Sequence, residues 1–366
     1  MSSENTETRT LALANSRLDA TVRGLIGRAQ GHGSTVRMLV ILVASFAFFT
    51  ALQPAIFLNP VNLQNIAVAS PEIGVISIAM MLAMLTGGID LSLVAIANLS
   101  AITITTLYSQ LALTDPEAAS QAMPFIVLLG IVVGLVAGAF NGFLISRLGI
   151  TPILATLGTM QIYNGIAIVW TGGSTLYGAP EALTAIGDVG LLNVPSLFIM
   201  LLLIAGGVGL FLKSTSLGRK ALLLGTNPVA AKYSGINSRN VLMNVYVLGG
   251  GLGGLAGILF LVRNPTASAE YGSSYVLLAI VIAVLGGTNP AGGFATVWGV
   301  VLATITLQVV FSGFTAMRLS AYEYSLTQGL ILIAVMVIDQ LSAQRRQNRG
   351  LGKRKPLFSR KERNSA

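Results

Sequence analysis

Apolar runs of membrane-crossing length alternate with short polar connections along nearly the whole chain. A helix needs about 20 mostly apolar residues to cross the hydrocarbon of a bilayer. Ten stretches meet or approach that requirement: 38–58, 66–86, 91–109, 123–145, 151–170, 194–213, 241–262, 273–286, 294–312 and 322–340. The pattern predicts an all-α integral membrane protein with about ten transmembrane helices. The eighth run is the weakest, because its apolar core, 275–285, is too short to cross without help from its neighbours and could be re-entrant. The chain divides accordingly into an N-terminal segment 1–37, a transmembrane domain 38–341 and a tail 342–366.

Two glycine pairs interrupt the apolar pattern. One lies in TGGIDLS, 86–92, between the second and third spans, and predicts a broken or short helix near 87–90. The other lies in GGTNPAGG, 286–293, between the eighth and ninth spans. Glycine-interrupted segments in corresponding positions of two halves point to a transport pathway. They are also compatible with a chance likeness between two glycine-rich turns.

The longest basic interruption is 214–239, STSLGRKALLLGTNPVAAKYSGINSR. Its local signals predict a short helix over 228–234, with Thr226 or Asn227 as N-cap, Pro228 in the first helical position, and Gly235 where a left-handed C-terminal cap belongs. Two turns, roughly 10 Å, do not hold alone in water, so the helix needs a flanking loop or a partner.

Composition narrows the class. The chain is 54% hydrophobic, 10% charged and has a mean hydropathy of +0.78, which excludes an ordinary globular protein. It contains no cysteine and one histidine, His32, which removes thiolate metal sites and a histidine-based triad. The net charge of +9 is a matter of topology. With ten spans starting inside, all 22 lysines and arginines except Arg263 and Arg318 fall on the inner side. The outer loops then carry Asp115, Glu117, Glu181, Asp188 and Glu270. This is the positive-inside arrangement, and it puts both termini in the cytoplasm. The tail is read as a solvated anchor that touches anionic lipid, with no role in nucleic-acid binding. Leu18, Val22, Leu25 and Ile26 share one helical face beside arginines, which fits an amphipathic surface helix or a plain tail. No early apolar core of a cleavable signal peptide precedes them.

Candidate chemistry is sparse. Asp90 stands beside an apolar segment, where a carboxylate is costly unless paired, hydrated or at the interface. Two readings stay open: a cap on the third span, favoured by the helix dipole, or a place in a solute path or its gate. Asn98, Asn141, Gln161, Asn164, Gln308 and Gln328 are uncharged polar residues inside spans, which either bond between helices or line a hydrated path. As path residues they suit an uncharged polyhydroxylated solute better than an ion. Arg263 and Glu270, with Glu181 and Asp188 of the outer loop 171–194, could meet an external protein partner. There is no phosphate loop of the G-x-x-x-x-G-K-[ST] type, and no ionisable chain suggesting a proton or sodium relay. A transporter of this kind needs an energy source outside itself.

TGGIDLS at 86–92, NGFLISRLGITPILATLGTM at 141–160, TGG at 171–173, GRKALLLGTNPVAAKYSGI at 218–236 and LGGTNPAGGFATVWGVVL at 285–302 together resemble the ribose-type branch of ABC sugar-importer permeases. The likeness runs from about residue 45 to 341, in the family's order and spacing. It implies a non-enzymatic permease subunit in the bacterial inner membrane, paired with an identical or a second permease. ATP and Mg2+ would be held by a cytoplasmic ABC ATPase, and a periplasmic sugar-binding protein would deliver a monosaccharide. This chain itself would hold no cofactor. The family's coupling helix falls on Asn227, Pro228, Val229, Ala230, Ala231, Lys232, Tyr233, Ser234 and Gly235, with Val229 where many relatives carry an acid. Alternatives are the same importer class serving a furanosyl signalling molecule, a polyol or a nucleoside, and an ion-coupled secondary transporter.

Overall fold

The computed structural model describes residues 33–191 and 194–320 and scattered positions between 322 and 337. The described residues are overwhelmingly helical. In chain order the elements are α1 (Gly33–Leu52), α2 (Pro54–Phe57), α3 (Pro60–Leu85), α4 (Leu93–Thr114), α5 (Pro116–Ser146), α6 (Pro152–Thr171), β1 (Leu176–Tyr177), α7 (Glu181–Asp188) and β2 (Gly190–Leu191). There follow β3 (Val194–Pro195), α8 (Ser196–Ser214), α9 (Ser216–Thr226), α10 (Pro228–Tyr233), α11 (Ser238–Arg263), β4 (Thr266–Ala267), α12 (Tyr275–Leu285) and α13 (Val297–Ala316).

Eight of these helices, α1, α3, α4, α5, α6, α8, α11 and α13, are long and apolar enough to cross a membrane. The eighth expected run forms α12, whose 11 residues rise only about 16 Å. The tenth, 322–340, lies largely outside the described residues, as do the N-terminal arginines before Arg37, Gln328 and the basic tail. The expected first span, 38–58, is corrected: α1 stops at Leu52 and the single turn α2 begins at Pro54. Proline offers no amide hydrogen to the preceding turn and its ring collides with it, so the apolar run bends where hydropathy alone continues it. Asp115 begins α5, its carboxylate accepting from the Ala118 amide at 2.9 Å with Pro116 in the first helical position.

Helices α3, α4 and α11 form the buried centre, with most of their apolar windows covered, while α1, α5, α6 and α8 present large apolar faces outward. Outward leucine, isoleucine and phenylalanine are what a helix facing hydrocarbon requires. Helices α5 and α11 meet along a glycine seam. A Cβ at Gly134 would strike the Gly250 carbonyl, and one at Gly250 would strike the Gly134 carbonyl. Small residues thus let two backbones touch where apolar side chains gain nothing by leaving lipid.

The connections sort to two ends. At one end, β1 pairs antiparallel with β4, Leu176 opposite Ala267 and Tyr177 opposite Thr266, so the α6–α8 and α11–α12 connections are joined. At the other end lie the α3–α4 break, the α5–α6 turn and α9–α10. The described residues cluster into two units that divide after Arg318. Within the second unit, the Ser320 amide and hydroxyl donate to Glu323 Oε2 at 2.6 and 3.0 Å.

Candidate functional site

At the β1–β4 end a polar cavity of about 360 Å³ opens between α6 and the α11–α12 connection. Its lining is Gln161, Asn164, Gly165 and Ile168 from α6, with Ala269, Glu270 and Ser273 from the connection. Gln161 and Asn164 share the cavity because residues three apart lie on one helical face. The volume is of the order that small-ligand sites occupy. Two carboxamides, a hydroxyl and a carboxylate supply donors and acceptors for a hydroxyl-rich solute.

The wall of this cavity is held by side chains from other helices. Asn98, buried on α4, donates from Nδ2 to the carbonyls of Ala269 and Tyr271, both at 2.9 Å. Arg263, at the end of α11, donates from Nη1 to Glu72 Oε2 at 2.6 Å. The Tyr271 hydroxyl donates to Glu72 Oε1 at 3.1 Å. Burial, with the Glu72 carboxylate beside it, pushes the Tyr271 phenol well above its ordinary range and keeps it a donor. Glu72 was not among the residues singled out in the sequence. A solitary acid inside the apolar run 66–86 is the signal that could have found it.

The remaining expected path residues lie elsewhere. Asp90, in the α3–α4 break, is buried, and its Oδ1 accepts from the Ser92 amide at 3.0 Å and the Ser92 hydroxyl at 2.6 Å. Asn141 on α5 donates to Ser92 Oγ at 2.7 Å, and the Tyr163 hydroxyl donates to the Ala137 carbonyl at 2.9 Å and, at 3.4 Å, to Asn141 Oδ1. A chain of hydrogen bonds therefore runs from the break through α5 to α6. Thr156 fixes the same break, its hydroxyl accepting from the Leu91 amide at 3.1 Å and facing the Ile89 carbonyl at 3.1 Å. Gln308 on α13 donates to the Ala69 carbonyl at 3.4 Å, a bond between helices. Glu181 opens α7 and is exposed, and Asp188 ends the same helix.

At the opposite end, 228–233 folds as α10. Asn227 is the cap, its Oδ1 accepting from the Ala230 amide at 3.0 Å, and Pro228 follows in the first helical position. Gly235 takes a φ of +75°, while the Ile236 amide reaches the Ala231 carbonyl at 3.0 Å and the Gly235 amide reaches Lys232 at 3.1 Å. That pair of bonds is the Schellman closure. Ala231 is buried, whereas Val229 and Tyr233, four residues apart on one face, are 65% and 89% exposed. Ser234 caps the helix and Lys232 sits in its last turn.

Immediately before α10, the end of α9 touches both glycine breaks. The Gly293 amide donates to the Leu85 carbonyl at 3.0 Å, and the Thr226 hydroxyl lies 3.4 Å from the Gly293 carbonyl. A Cβ at Gly225 would strike the Leu85 carbonyl, and one at Gly293 would lie 2.7 Å from Thr226 Cα. Three backbones, from the two breaks and α9, thus meet with no side chain between them.

Residues 62–337 match the family described as the permease component of the branched-chain amino acid transport system. The autoinducer 2 import system permease protein LsrC of Klebsiella pneumoniae subsp. pneumoniae is 32% identical over 300 residues, spanning 81% of this chain and 84% of the relative. The LsrC protein of Salmonella typhi is 29% identical over 301 residues, spanning 82% of this chain and 84% of the relative. The D-allose transport system permease protein AlsC of Escherichia coli K12 is 30% identical over 301 residues, spanning 82% of this chain and 90% of the relative. No solved structure gives a significant match. The motifs at 86–92, 141–160, 218–236 and 285–302 and the span of these matches lead to one conclusion: this chain belongs to that permease family, together with ribose-type ABC importer permeases.

Proposed function

We propose that this protein is the membrane-spanning permease subunit of an ATP-driven, binding-protein-dependent importer of a monosaccharide, acting in the bacterial inner membrane with both termini in the cytoplasm. The observation that carries the solute class is the cavity between α6 and the α11–α12 connection. Gln161 and Asn164 offer neutral donors and acceptors there, facing Glu270 and Ser273. Asp90, Asn98, Asn141 and Gln308 support the path by holding its walls and breaks. A furanosyl signalling molecule is a second reading, favoured by the autoinducer 2 permeases among the relatives.

The partners follow from the family. A cytoplasmic ABC ATPase holding ATP and Mg2+ docks on Asn227 to Gly235, where Val229 and Tyr233 stand exposed for an apolar contact. A second permease subunit completes the pore, lipid covers the outward apolar faces, and the basic tail rests on anionic headgroups. The periplasmic binding protein meets the β1–β4 end, where Glu181, Asp188 and Glu270 bring acidic groups and Arg263 anchors the connection. ATP-driven closure of the ATPase dimer pushes on α10, and the end of α9 passes the motion to both glycine breaks.

The test is reconstitution with the ATPase and binding protein in liposomes, measuring ATP-dependent uptake of labelled D-ribose, D-allose and autoinducer 2. Uptake of one of them should depend on ATP and the binding protein and fall at least tenfold in Gln161→Leu/Asn164→Leu. Uptake driven by an ion gradient without the ATPase, or full uptake in the double variant, would refute the reading.

A further inference from the structure

Halfway along α3, on a helix long and apolar enough to cross a membrane, Glu72 is fully buried. A carboxylate in such a place needs partners, and all of the partners it has come from one short stretch of chain. Arg263 Nη1 donates to Oε2 at 2.6 Å, the Tyr271 hydroxyl to Oε1 at 3.1 Å, and the Tyr275 hydroxyl to Oε2 at 3.4 Å. Phe260 packs on both tyrosines, with ring centroids 4.8 Å from Tyr271 and 6.1 Å from Tyr275. The same stretch, 263–275, contributes Ala269, Glu270 and Ser273 to the polar cavity.

The ion pair is buried at its Glu72 end only, since the Arg263 side chain is 34% exposed. Its distinctive property is directional: a carboxylate with three donors fixes where each donor sits, and a donor that leaves strips a partner from a carboxylate that is itself shut away from water. Neither Glu72 nor any other residue of α3 is among those that line the cavity. Glu72 therefore acts on the cavity wall through Arg263, Tyr271 and Tyr275.

We propose that Glu72 is a positioning residue for transport: it tethers the 263–275 strap as the wall of the polar cavity, so that the strap opens and closes as a unit about this carboxylate. This rests on the reading of the cavity as part of the solute path, and the two ideas fail separately.

The chain has no cysteine, so a single reporter is clean. Ala269 lines the cavity and is only 9% exposed, and Ala155, 5% exposed at the start of α6 at the other end of the bundle, serves as control. Ala269→Cys and Ala155→Cys are made separately in the full complex in nanodiscs, where both faces meet a small cationic methanethiosulfonate. Adding Glu72→Gln keeps the shape and removes the charge facing Arg263. The labelling rate at position 269 should rise at least tenfold and the rate at 155 should not change. Glu72→Gln with Arg263→Gln should give no more than Glu72→Gln alone, because both act through one bond. A change under twofold at 269, an equal rise at both positions, or additive effects would overturn the tether. If Glu72→Gln does not accumulate, Tyr271→Phe/Tyr275→Phe keeps the rings and removes two donors; a smaller selective rise at 269 is then expected, and no rise overturns the proposal. A selective rise with undiminished uptake would leave the tether standing and sink the solute-path reading.

Discussion

Gly225→Ala tests the contact between α9 and the two breaks. An added Cβ would strike the Leu85 carbonyl and lie 2.5 Å from the Gly293 amide nitrogen, between two groups already hydrogen-bonded at 3.0 Å. Restoring an ordinary separation of about 3.5 Å from the carbonyl, the nearer of the two groups, takes a retreat of roughly 1.5 Å. Forcing the methyl in costs about 1–3 kcal/mol as overpacking, and prising the buried pair apart adds about 1–3 kcal/mol for the groups left unpaired. The low end of that sum is met by letting the end of α9 back away, which separates α10 from the breaks it is proposed to move. If 1.4 kcal/mol of the cost falls on the coupled step, uptake slows about tenfold. The assay is uptake per ATP hydrolysed by the reconstituted complex, with Gly158→Ala as control, since a Cβ at Gly158 meets nothing within 4 Å. Gly225→Ala should hydrolyse ATP and import at least tenfold less per ATP, while Gly158→Ala matches the parent. An unchanged ratio in Gly225→Ala would refute both the close contact and its role.

Thr156→Val removes the hydroxyl shared by Leu91 and Ile89, and should destabilise the purified protein by about 1–3 kcal/mol, read as a lower thermal midpoint in detergent. Asn227→Ala removes the cap of α10 and should weaken that helix by about 1 kcal/mol, seen as faster amide exchange at Ala230 and Ala231 with little change in the midpoint. Gly134→Leu drives a side chain into the Gly250 backbone and should halve or worse the amount of folded protein in the membrane, measured by fluorescence-detected size exclusion. Asn98→Leu frees the carbonyls of Ala269 and Tyr271 and should lower uptake without altering basal ATP hydrolysis.

What the chain discloses by itself is what is local. The helix at 228–233 is legible because its cap, its proline and its left-handed glycine lie within nine residues, Asn227 to Gly235. The long spans are legible because hydrophobic length needs no partner to be read. Gln161 and Asn164 share a face by helical spacing alone. The rest depends on contacts far apart in sequence. Arg263 looks like a free external charge until α3 brings Glu72 to it across 191 residues. Glu72 itself vanishes in a hydropathy average, where one acid among many apolar residues leaves the run above threshold. The meeting of Gly225, Leu85 and Gly293 is written in three separate glycine-bearing turns, none of which names the other two.

The brevity of α12 bears on how the molecule is made. At about 16 Å it cannot be accepted by a bilayer of about 30 Å as a segment in its own right. The apolar surface around it must already be supplied by α3, against which it packs, and by α13, whose glycine at 299 nests against Gly286 at the end of α12. In the making of the chain α12 therefore depends on helices to either side of it in sequence, α3 before and α13 after, rather than on hydrophobic length of its own.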